Sequence, residues 1–316
     1  MTAYIIRRLL LLIPVLVIVG IIVFTLVHLT PGDPVSVMLG REATQEQKDA
    51  LREQLGLNEP FHIQFVTWFR DVLRLDFGDS LFIGKPVTDA LLDRVQPTGL
   101  LTLYSLTLSI LIAIPAGVIA AVRANSLMDR LLMVLSIGGA AIPSFFLGIL
   151  LILLFAVVLG WLPSGGYVGI GEDPVQHLKY MLLPTITLGF SAAGLLARLV
   201  RSTMLDVLNE DYVRTAYAKG LRERHVIMWH ALRNALIPVL TIIGISLAGM
   251  LGGAVVIETV FNIPGMGRLL VQSVTRRDFP VVQGAVMTVA AVEVLVMLLI
   301  DILYVYVDPR VRYGAD

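Results

Sequence analysis

The chain lacks cysteine altogether and has little charge: of 316 residues none is Cys and 15% are Asp, Glu, Lys or Arg. Without Cys there is no disulfide scaffold, no thiolate-bound zinc or iron–sulfur cluster and no thiol nucleophile. Soluble domains carry about 25% charged residues. Here 57% of residues are hydrophobic and the mean hydropathy is +0.84, which excludes a soluble enzyme. Lys plus Arg and Asp plus Glu balance at 24 each, so no net basic field points to nucleic acid. Enzyme signatures are also missing. There is no H-E-x-x-H, G-x-S-x-G or G-x-G-x-x-G, and the one Gly-Lys pair, Gly84-Lys85, runs into Pro86 rather than forming a phosphate loop. The histidines His28, His62, His177, His225 and His230 show no close metal-binding spacing apart from the last two, which sit in a basic segment.

What is abundant is apolar sequence in long runs. Leu9 to Leu29 reaches about 30 Å at 1.5 Å per residue, one hydrocarbon core. No small-x-small cleavage site follows it, so it reads as an uncleaved first helix. Further runs are Leu100 to Val122, Leu131 to Leu159, Met181 to Val200, Ala235 to Ile257 and Val281 to Val307. The run from Leu131 is too short for two spans of about 17 residues each, so one tilted helix is expected, kinked at Pro143. The expectation is an all-α membrane protein with six transmembrane helices and both termini on one side. Lys and Arg are about twofold denser in the segments on the terminal side, which places the termini in the cytoplasm. The outer segment holding Arg268, Arg276 and Arg277 is an exception to that rule.

Several local patterns add detail. Between the first two spans, Leu51, Leu55, Phe61, Phe65, Trp68, Phe69, Val72 and Leu73 recur at helical spacing, and Pro86 opens a short amphipathic helix leading into the second span. Ala113, Gly117 and Ala121, and Gly249 with Gly253 beside Ala248 with Gly252, repeat at four-residue spacing. Close helix packing explains this, as does the general abundance of small residues in spans. Glu293 lies near the middle of the last span with Asp301 two turns on. Ionisable groups at that depth are functional candidates, and the competing reading is a structural pair with Arg198 or Arg201.

The strongest local signal lies between spans four and five. Asn209 can cap a helix, Glu210 and Asp211 place negative charge in its first turn, Lys219 places positive charge in its last, and Gly220 supplies a left-handed stop. Tyr212, Val213, Ala216 and Tyr217, with Leu221 just beyond, share an apolar face that needs a partner. Helix resumes from Arg222 to Asn234, so the short helix is tethered by spans at both ends.

The stretch Glu210 to Leu221 (EDYVRTAYAKGL), followed by His230 to Pro238 (HALRNALIP), resembles the cytoplasmic loop of the peptide and nickel subgroup of ABC importer permeases. Thr30-Pro31-Gly32-Asp33-Pro34, Leu55-Gly56-Leu57-Asn58-Glu59-Pro60, Gly78-Asp79-Ser80, Glu258 to Leu270 and Arg277-Asp278-Phe279-Pro280 look like the same subgroup. In the wider family the loop reads Glu-Ala-Ala before its Gly. Arg214 and Thr215 stand where Glu and Ala are usual, and His230-Ala231-Leu232-Arg233 where Ile-x-Leu-Pro is usual, departures that match the subgroup.

The resemblance implies a type I ABC importer permease in the cell's inner membrane. Its first span and an extracytoplasmic region would occupy 1–97, a five-helix core 98–308 with a coupling helix near 209–220, and a cytoplasmic tail 309–316. Asp211, Tyr212, Arg214, Thr215, Ala216, Lys219, Gly220 and Leu221 are then expected to dock on an ABC ATPase subunit. Glu258, Arg268, Arg276 and Arg277 would stand at the outer mouth, near an extracytoplasmic binding protein or a peptide carboxylate, or pair within their own loop. The chain would bind no cofactor, with ATP and Mg on the partner ATPase, and a second homologous permease would complete the path through the lipid. The implied substrate is a dipeptide or oligopeptide, with nickel, glutathione or another small solute as alternatives. An ion-coupled secondary transporter using Glu293 and Asp301 is the alternative of another class.

Overall fold

A computed structural model describes residues 2–29, 35, 39, 44–54 and 58–307, the side chains of 2–9, 51, 54, 301 and 303–307 excepted. Motif residues 30–34 and 55–57, the tail 309–316 and the Asp301 side chain lie outside the described residues. Helices are α1 Thr2–Leu29, α2 Gln45–Gln54, α3 Phe61–Val72 and α4 Val87–Val122. They continue as α5 Leu127–Ala141 and α6 Ser144–Leu151, the latter prolonged by π-wound turns over Ile152–Val158. Then come α7 Pro174–Leu208, α8 Asp211–Ala218, α9 Glu223–Val260, α10 Met266–Arg276 and α11 Phe279–Val307. Within α9, Val226–Leu232 are also π-wound. No strand forms among the described residues; Asp79 and Pro86 make one isolated bridge.

Five helices, α1, α4, α7, α9 and α11, are long and apolar enough to cross a bilayer, and α5 with α6 adds a sixth crossing only as a pair bent by 100°. The single tilted helix expected over Leu131 to Leu159 is therefore replaced by two. Ile142 is extended at φ −76° and ψ 123°, the region favoured before proline, and Pro143 begins the second piece. The short helix expected from Pro86 merges without a break into the second span as α4.

Contacts divide the chain into two compact units, one of Pro97–Pro264 with the end of α11 from Leu295, the other of Thr2–Gln96 and Gly265–Val294. In the first, α7 is the most enclosed of the candidate spans, with 61% of its apolar window buried. In lipid, apolar side chains gain little by leaving the solvent, so tight backbone approach matters more. A Cβ added at Gly117 would lie 2.6 Å from the Val200 Cβ and 2.7 Å from the Ala197 carbonyl, and one at Gly189 2.7 Å from the Ser105 carbonyl. Gly194 sits harder still against the Ser136 carbonyl. The Ala113, Gly117, Ala121 series is thus a packing seam. Gly249 and Gly252 are not, since an added Cβ at either meets nothing within 4 Å.

In the second unit α1 lies on α3 through an aromatic cluster, with the Phe24 ring 5.2 Å from Phe61, 5.5 Å from Phe65 and 5.3 Å from Trp68. Val87 and Leu91 at the start of α4 pack with Met266 and Leu269 of α10 and Val281 and Ala285 of α11. Buried Asp278 accepts a hydrogen bond from the Ser80 hydroxyl at 2.6 Å and another from the Leu81 amide at 3.3 Å.

Candidate functional site

The tethered short helix between α7 and α9 is formed as the sequence predicts, with two corrections. Asn209 does not cap it: its side-chain amide donates back to the Leu205 carbonyl at 2.8 Å and closes α7. Glu210, extended at φ −70° and ψ 145°, is the first flanking residue, and its side chain makes no capping bond. Asp211 keeps a carboxylate in the first turn, where the helix dipole favours it. The C-terminal stop is a Schellman motif. Gly220 adopts φ +76°, its amide donates to the Tyr217 carbonyl at 2.9 Å, and the Leu221 amide reaches the Ala216 carbonyl at 3.4 Å.

The second correction concerns the apolar face. Val213 and Ala216 are buried with Val226 against Val207 and Leu208 of α7, so half of that face is covered by the chain itself, and Ala216 is no surface contact. At 100° per residue the opposite stripe is Asp211, Arg214, Thr215 and Ala218, all exposed, with Tyr212 and Tyr217 on the two flanks at 41% and 43% exposure. Lys219 and Leu221 continue the exposed side. The Arg214–Asp211 approach of 3.7 Å lies on this solvated stripe and contributes little to stability.

A clamp that the sequence did not reveal ties α8 to the next span. The Asn234 side-chain amide donates to the Tyr212 hydroxyl at 3.0 Å and to the His230 carbonyl at 2.8 Å. With Val213 and Ala216 seated on Val226, at the start of the π-wound turns, α8 touches the end of α7 and the beginning of α9 together. A displacement of α8 must therefore be felt by both.

Near the same end of this unit Arg201 makes a bidentate pair with Asp129, at 2.6 and 2.7 Å. Asp129 is buried at 3% exposure and also accepts from the Asn125 amide at 2.8 Å. Arg201, one of the two basic residues expected to pair with Glu293, is thus engaged by α5. Glu293 itself is exposed on α11 and forms no ion pair or hydrogen bond among the described residues, which overturns the structural pairing expected for it.

The opposite end of the unit holds Glu258. It is fully buried and accepts a hydrogen bond from the Thr98 hydroxyl at 2.5 Å, so it is an internal carboxylate and not a surface contact. His177, also fully buried, lies 2.7 Å through Nδ1 from the Val168 carbonyl and 3.3 Å through Nε2 from the Tyr104 hydroxyl. Burial pushes the Tyr167 hydroxyl above the usual tyrosine range, reinforced by Tyr104 and Glu172. In the other unit Arg276 and Arg277 are exposed and Arg268 is half-buried. The intraloop partner expected for these arginines, Asp278, is turned inward to Ser80.

The described helices supply five candidate spans, with a sixth as the bent pair, and a short helix tethered between two of them. The chain belongs to the family described as binding-protein-dependent transport system inner membrane component, which matches residues 113–313, with the corresponding N-terminal family matching 1–102. It is therefore a permease subunit of an ABC importer in the inner membrane, not an enzyme, and ATP is hydrolysed in a separate subunit. Membership in an ATP-driven system displaces the ion-coupled alternative.

Over 313 residues, 99% of this chain and 100% of the relative, it is 44% identical to the probable peptide ABC transporter permease protein y4tP of Sinorhizobium fredii. Over the same coverage it is 45% identical to the glutathione transport system permease protein GsiC of Salmonella paratyphi A and 44% identical to that of Escherichia coli K12. Its fold is similar to a chain of the MetNI methionine ABC transporter in an inward-facing conformation. The TM-score is 0.59 at 20% identity, over 72% of this chain and 100% of that one.

Proposed function

We propose that this permease admits short peptides, with glutathione-like tripeptides inside the range, and that α8 is its coupling helix. The observation that carries the reading is the pairing of an exposed stripe, Asp211, Arg214, Thr215 and Lys219, with an inner face locked onto two spans. Such a helix receives a push on one side and delivers it to the bundle on the other. Leu221 extends the docking edge, and Tyr212 and Gly220 hold the helix in place. Full-length similarity to permeases named for a peptide and for glutathione supports the substrate class.

In this reading a second homologous permease completes the path, the N- and C-termini are cytoplasmic, and an extracytoplasmic binding protein delivers the solute. Exposed Arg276 is the outer residue best placed to meet it, with Arg268 in support. The test is reconstitution of the permease with its copurifying subunits and binding protein in proteoliposomes, followed by ATP-driven uptake of labelled di- and tripeptides, glutathione and nickel. Uptake of peptides is expected; uptake of nickel alone overturns the substrate class.

A further inference from the structure

Between α1 and the start of α11 runs an apolar groove of about 350 Å³, with Arg277 at one end. Its volume falls in the range of about 300–1,000 Å³ typical of ligand sites. One wall is the Val19, Val23, Val27 stripe of α1, the other Val282 and Val286 of α11 with Phe279. No acid lines it. The guanidinium of Arg277 makes no ion pair or hydrogen bond among the described residues, although a carboxylate is next to it in sequence, because Asp278 is buried and holds Ser80 and Leu81. Arg277 also ends α10 in the left-handed conformation, φ 60° and ψ 35°, a position that suits glycine better than a long cation.

We propose that this groove binds an anionic phospholipid, with an acyl chain along the valine walls and the phosphate on Arg277. The occupant follows from charge complementarity. A hydrophobic helix of another subunit would cover the valines and leave a cation without an anion at the rim. A phosphodiester supplies both, and arginine matches phosphate oxygens through two parallel N–H bonds. The helices that form the groove are candidate spans, so the bilayer delivers the ligand laterally. Exposed Arg276, the preceding residue, adds to the local positive field without lining the groove. This accounts for a cluster of arginines on the side of the chain where the positive-inside rule expects few. It is independent of which solute is transported.

The test is native mass spectrometry of the delipidated permease complex, titrated with palmitoyl-oleoyl phosphatidylglycerol and, separately, with the phosphatidylcholine of the same chains. The expected result is preferential retention of phosphatidylglycerol. Arg277→Gln should weaken that retention about fivefold, the contribution of one basic side chain at an anionic lipid surface, and leave phosphatidylcholine unchanged. Arg277→Lys should retain most of the preference. Val282→Phe and Val286→Phe, each on a partly exposed wall position, should displace both lipids, and having two keeps the result readable if one fails to fold. Equal binding of the two lipids, an unaltered preference in Arg277→Gln, or a partner helix seated in the groove in a structure of the complex would overturn the proposal.

Discussion

Replacing Gly220 isolates what the stop of α8 contributes to coupling. The residue sits at φ +76° with no atom within 4 Å of an added Cβ, so a side chain there meets strain but no collision within the chain. For an L-residue the left-handed conformation costs about 1–2 kcal/mol. The motif is held by two backbone bonds, from Gly220 to Tyr217 and from Leu221 to Ala216, each contributing about 1 kcal/mol. Strain and bonding are therefore nearly equal in Gly220→Ala. At the upper end of the strain the formed stop falls to roughly half its population, and in the other half Lys219 and Leu221 leave their docking positions. ATP-driven uptake in proteoliposomes should fall by about twofold, while insertion and thermal stability stay near parental. Gly220→Asn, which tolerates the left-handed region, should keep most of the activity, and Gly220→Glu, with a charged side chain at the docking edge, should abolish it. Parental uptake in Gly220→Ala, or Asn performing no better than Ala, would refute the reasoning.

Three further outcomes follow from the geometry. Asp129→Ala removes both charge-assisted bonds of partly exposed Arg201 and should destabilise the chain by about 1.5–3 kcal/mol, with the double variant Asp129→Ala, Arg201→Met recovering part of it; thermal unfolding in detergent reads both. Tyr212→Phe removes the acceptor of the Asn234 amide, a bond of about 0.5–1.5 kcal/mol, and should lower uptake per ATP hydrolysed with the ATPase rate retained. Gly194→Leu drives a side chain into the Ser136 carbonyl between α7 and α5 and should destabilise the fold by about 1–3 kcal/mol, read as loss of monodisperse protein on size exclusion.

Much of the bundle is legible from composition because hydrocarbon imposes a length on apolar runs, and the stop of α8 is legible because Gly220 has a conformational role that few residues share. Asn209 misleads because its amide can donate to a carbonyl behind it as readily as its oxygen can accept from an amide ahead, and only the turn geometry decides. The burial of Val213 and Ala216 depends on Val207, Leu208 and Val226, which the chain brings together in three dimensions. Asp129 and Arg201 are remote in sequence, and nothing in either position announces the other. Glu258 lies in a segment that reads as an outer loop, yet the end of α9 draws it inside to Thr98. The break at Pro143 is visible as a proline, but whether a proline bends a helix or ends it depends on the residue before it; here Ile142 leaves the helical region altogether.

That break also limits where the bilayer can reach. Pro143 has no N–H to return to the Gly139 carbonyl, and Ala140, Ala141, Ile142 and Pro143 are all exposed on the surface of the chain. Irregular backbone at membrane depth is stable only against protein or water. A corner of this kind at membrane depth is expected to face protein or water in the assembled importer, and not lipid tails.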